Sequence, residues 1–72
     1  MTCQLYDAIA DTYHSVQRCP DCGSGNLAAE WVPVAFSNGA VDWQRAIGCA
    51  NCGAIDGDAP TLPQAVVKWN KL

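Results

Sequence analysis

Two short segments, Cys19-Pro20-Asp21-Cys22-Gly23 and Cys49-Ala50-Asn51-Cys52-Gly53, repeat one design within a chain of 72 residues. A cysteine pair separated by two residues can chelate one ion while a tight turn aims backbone N–H groups at the sulfurs. Glycine after the second cysteine allows the positive φ that such a turn needs. Two such knuckles supply four soft ligands, a set that suits tetrahedral zinc. Twenty-six residues lie between Cys22 and Cys49, a span that a hairpin running out and back fills. The expected ligands are therefore Cys19, Cys22, Cys49 and Cys52, holding one Zn2+ per chain. Iron is the substitute, since a rubredoxin-like site uses the same sulfur tetrahedron. A dithiol redox motif fits less well, because it usually places one cysteine pair before a helix.

Four protein ligands close the coordination shell and leave no position for an activated water. Hydrolysis at the metal is not expected, and the chain reads as a non-enzyme. Cys3 is left over as a free thiol, and His14 reads as a surface or packing residue beside a complete sulfur set. Asp21, Asp56 and Asp58 read as solvated loop carboxylates, since no nucleophile or base stands beside them.

The balance of charge limits the partners. Four Lys and Arg against seven Asp and Glu give −3, and four thiolates around a divalent ion take the chain to about −5. Arg18, Arg45, Lys68 and Lys71 are the only cations, few for neutralising phosphates. A nucleic-acid-binding zinc ribbon is the alternative reading, and it needs those four on one face. The longest apolar run, Trp31-Val32-Pro33-Val34-Ala35-Phe36, is far short of the roughly 18 residues that span a bilayer. The first residues show no basic stretch ahead of an apolar one, so no membrane association and a reducing cytoplasm are expected.

Along the chain, Leu5, Ile9, Tyr13 and Val16 recur at helical spacing, which predicts a helix over residues 4–16, with Thr2 as its cap. Asn38-Gly39 between two β-prone runs predicts a two-residue type I′ turn. That turn would oppose Phe36 to Val41, Val34 to Trp43 and Val32 to Arg45. One face would then carry Val32, Val34, Phe36, Val41, Trp43 and Ile47, with Trp31 exceptional on the polar face and Glu30 diagonal to Arg45. Pro33 lacks a donor and marks its strand as an edge. Residues 53–60 read as irregular. Thr61-Leu62-Pro63-Gln64 fits a capping box that starts a last helix with Leu62, Ala65, Val66 and Trp69 as its apolar stripe.

Cys19-Pro20-Asp21-Cys22-Gly23-Ser24, Ile47-Gly48-Cys49-Ala50-Asn51-Cys52-Gly53-Ala54, Gly57, Thr61, Ala65-Val66 and Trp69-Asn70-Lys71 together resemble the Lar-type restriction-alleviation family, small zinc-ribbon proteins of phages and prophages. The resemblance spans roughly residues 18–72. Ala65-Val66 and Trp69-Asn70 after the second knuckle narrow it beyond zinc ribbons in general. Asp21 stands where that family often has an aromatic residue, Lys71 replaces a usual arginine, and residues 1–17 have no counterpart. The resemblance implies a bacterial host cytoplasm and relief of a host type I restriction system. It also implies a host or phage protein as partner.

The expected fold is a small α+β zinc ribbon: an N-terminal helix over residues 1–17, then a compact ribbon over 18–72. Within the ribbon a β-hairpin, with room for a short third strand, joins the two knuckles, and a C-terminal helix follows. The helical stripe at residues 5–16 is expected to fold back on the hairpin or the last helix of the same chain, with pairing of two copies through it as the alternative.

Overall fold

A computed structural model describes residues 2–72. Five strands and one helix follow in the order β1 (Thr2–Asp7), β2 (Thr12–Gln17), β3 (Leu27–Ala35), β4 (Val41–Cys49), β5 (Ile55–Ala59) and α1 (Leu62–Trp69). They form two antiparallel sheets, β1-β2 and β3-β4-β5. The protein is therefore mostly β, and the expected N-terminal helix is replaced by a hairpin; Met1, first residue of that segment, lies outside the described residues.

The reason lies in which residues alternate. Cys3, Leu5 and Asp7 on β1 face His14 and Val16 on β2, and these positions are buried or half-buried. Tyr6 and Tyr13 pair on the outer face, with ring centroids 5.1 Å apart. The connection is built by aspartates. Asp7 Oδ1 accepts the N–H groups of Ile9 (3.1 Å) and Ala10 (3.2 Å), an Asx turn. Asp11 takes the left-handed conformation at φ 50, which aspartate tolerates better than most residues. Of the expected helical stripe, only Leu5 and Val16 are buried, while Ile9 and Tyr13 are exposed. With no helix there, pairing of two copies through helical stripes has no basis.

The second sheet departs from expectation by one residue. Val41 pairs with Ala35, Trp43 with Pro33 and Arg45 with Trp31. The loop is three residues long: Phe36 donates to the Ala40 carbonyl at 2.8 Å and accepts from Gly39 N–H at 3.0 Å. Gly39 has φ 85 and Asn38 has no positive φ, so the turn is type I followed by a left-handed glycine. Such a slip exchanges the faces of one strand. Trp31, Trp43, Arg45 and Ile47 now share a face. Val32 and Val34 move to the other, with Glu30, and the Glu30–Arg45 pairing does not form.

Pro33 does lie on an edge strand, since β3 has only one neighbour. Residues 55–59, read as irregular, form the third strand, and its register to β4 shifts between Arg45 and Ile47. Gly57, at φ 74, absorbs that bulge.

One core joins both sheets and the helix. It contains Leu5, Val16, Ile47, Ala59, Leu62, Ala65, Val66 and Trp69, together with Cys19 and Cys49. The apolar stripe of α1 is buried as expected, and Trp69 is fully so. Thr61 sits at the N-cap, but its side chain makes no capping bond. The outer half of β3–β4 extends past this core. The radius of gyration is 12.3 Å, against about 11 Å for a compact chain of this length.

Candidate metal centre

The two cysteine turns are built alike. Gly23 N–H donates to the Cys19 carbonyl at 2.8 Å, and Cys19 N–H to the Ser24 carbonyl at 2.9 Å. In the second, Gly53 N–H donates to the Cys49 carbonyl at 2.9 Å and Cys49 N–H to the Ala54 carbonyl at 2.8 Å. Gly23 and Gly53 hold φ 75 and 79. In each turn the first cysteine is buried and the second exposed. The core therefore anchors one side of the site, and the turns close over the other.

The four sulfurs of Cys19, Cys22, Cys49 and Cys52 lie within 4.8 Å of one another. Cys19 and Cys52 are 3.6 Å apart, and Cys22 and Cys49 are 3.5 Å apart. A disulfide needs about 2.05 Å, so these are not bonded sulfurs. A tetrahedron with metal–sulfur bonds of about 2.3 Å has edges of about 3.8 Å. The four cysteines expected as ligands are thus gathered with nearly that spacing, by hairpin ends 27 residues or more apart.

The clustered thiols perturb one another in opposite directions. Ser24 N–H and the Asn51 amide, 3.6 Å from the sulfur, lower the Cys22 thiol to about 6. At Cys52 the Ala54 N–H also pulls downward. Hydrogen bonds with the Cys19 and Cys22 sulfurs, burial and Cys49 outweigh it, so that thiol is pushed up to about 12. Four adjacent sulfurs cannot all ionise alone because like charges repel. A divalent ion removes that conflict, and the sulfur donors suit zinc or iron.

Other residues singled out from the sequence fall elsewhere. Cys3 lies outside the cluster, with its thiol 3.5 Å from the Val16 carbonyl. His14 Nε2 is 3.0 Å from Asp7 Oδ2, both within the first hairpin. Trp43, expected in the core, is 58% exposed, and Trp31 is 53% exposed. Arg45 is buried, which leaves Arg18, Lys68 and Lys71 as the exposed cations. No helix is long and apolar enough to cross a membrane among the described residues.

Sequence reasoning missed Gln17 and the role of Asn70. Gln17 N–H donates to Asn70 Oδ1 at 2.8 Å, and Asn70 Nδ2 donates to the Ser15 carbonyl at 3.1 Å. These bonds tie the first hairpin to the end of α1, two residues before the first ligand. A polar pair so distant in sequence carries no local signal.

No family model, curated protein or solved structure matches the chain. The arrangement supports a small protein with a four-cysteine metal centre.

Proposed function

We propose that the protein is a zinc-stabilised, non-enzymatic module that acts by contact with another protein. Zinc is the ion proposed for the four sulfurs, and a closed shell leaves it a structural part. The observation that carries the contact reading is the projecting end of β3–β4, where Phe36, Val41 and Trp43 are all exposed. Aromatic side chains displayed together beyond the core are the usual material of a binding surface.

The resemblance of residues 18–72 to restriction-alleviation proteins makes a host type I restriction enzyme the first partner to test. The measurement is plating of unmodified phage on a restricting host, with and without the chain expressed. The reading expects relieved restriction with the natural sequence and loss of relief with Trp43→Ser plus Phe36→Ser. Unchanged plating with a soluble, metal-loaded chain removes that partner. Unchanged relief with the double variant removes the hairpin as the contact surface.

A further inference from the structure

Arg45 stands at the root of the projecting hairpin and is only 7% exposed. Its guanidinium carbon lies 4.2 Å from the centroid of the Trp31 ring. The Nε atom is buried and makes no hydrogen bond to any described residue. Arginine does not lose its proton in a protein, so burial cannot neutralise it. A guanidinium with one face against an indole keeps its in-plane N–H edge for a partner.

Arg45 is one of the residues that line a cleft of about 380 Å³. Ile9, Ala10, Trp31, Pro60, Leu62 and Pro63 give it apolar walls. Thr61 also lines it, at the start of α1, where its side chain makes no capping bond and the first turn holds no acidic residue. The positive end of the helix dipole therefore lies at the same cleft with no acidic residue in its own first turn. Asp7 is the one carboxylate on the wall. Both of its oxygens are engaged within the first hairpin, Oδ1 by Ile9 and Ala10 and Oδ2 by His14.

We propose that this cleft binds the carboxylate of a compact apolar acid, with Arg45 as the anion-binding residue. A planar monoanion matches the two-pronged edge of a guanidinium. A phosphate would bring more negative charge against Asp7 and a chain already at −3. The apolar walls take the body of the acid, and the Thr61 side chain supplies a further donor. This inference does not rest on the identity of the metal or on the partner proposed above.

The test uses the full metal-loaded chain, with benzoate and its neutral analogue benzamide as probes. Titration is followed by the Arg45 Nε–H and Trp31 indole N–H resonances. Benzoate should shift both saturably, with a dissociation constant on the order of 1 mM, and benzamide should bind at least about tenfold more weakly. Arg45→Met should abolish the benzoate response. Absent shifts, equal shifts with benzamide, or a benzoate response retained in Arg45→Met would overturn the assignment.

Discussion

The indole N–H of Trp69 donates to the backbone carbonyl of Gln17 at 2.9 Å, and the Gln17 amide donates back to the Trp69 carbonyl at 2.6 Å. Fifty-two residues separate the two. Through this exchange the last helix holds the strand that leads into Cys19, and it shares the core with Cys19 and Cys49.

Trp69→Ala should therefore act on both. Removing a fully buried tryptophan costs about 3–5 kcal/mol, and the Gln17 carbonyl loses its donor as well. Trp69→Phe keeps most of the ring and should cost less, about 1–3 kcal/mol for the unpaired carbonyl. Denaturant unfolding of the metal-loaded variants should rank them in that order. Wild-type stability in Trp69→Ala would show that this network does not hold the hairpin.

Metal retention discriminates among the cysteines. Structural zinc contributes about 10–16 kcal/mol of apparent binding free energy, more than most small domains have in net stability. Cys22→Ser and Cys49→Ser should give little folded protein, and chelation of the natural chain should collapse its dispersed amide spectrum. Cys3→Ser should keep one metal per chain by elemental analysis. Loss of metal in Cys3→Ser would mean that the ligand set is wrong.

These features differ in how plainly the sequence displays them. The knuckles are local, because each turn contains its own ligands and glycine, and the helix stripe of Leu62, Ala65, Val66 and Trp69 is also local. The first hairpin is ambiguous by spacing alone: Leu5 and Val16 are eleven residues apart, three helical turns, yet they also fall on one face of paired strands. What decides is the Asp7 turn and the cross-strand tyrosines, which a helical period cannot weigh. The Asn38-Gly39 pair fits both a two-residue and a three-residue loop. Only tertiary context selected the longer one, and with it the whole register.

That loop makes its own prediction. A methyl group added to Gly39 would meet only open space, but the residue sits at φ 85, so the cost of a side chain there is conformational alone. Gly39→Ala should lose about 1–2 kcal/mol. Gly39→Asn should lose less, since asparagine visits that region more readily. Equal stability for alanine and glycine, measured by thermal unfolding, would argue for a different loop and return the register to question.

The first hairpin should lose support from the Asp7 carboxylate as pH falls. The His14 hydrogen bond to the Asp7 carboxylate, reinforced by the Ala10 and Ile9 N–H groups, holds Asp7 below the usual carboxylate range. A group whose folded value is depressed contributes stability above its unfolded value, about pH 3.9. That contribution fades as pH drops through the unfolded value toward the lower folded one. Protonation of the cysteines also releases metal in acid, so the natural chain alone cannot isolate the effect. The difference between the natural chain and Asp7→Asn cancels the metal term common to both. It should be fully present at about pH 5 and shrink below about pH 4. A difference that stays constant through the acid range would mean that the Asp7 charge is not what stabilises the turn, and that its oxygens act only as hydrogen-bond acceptors.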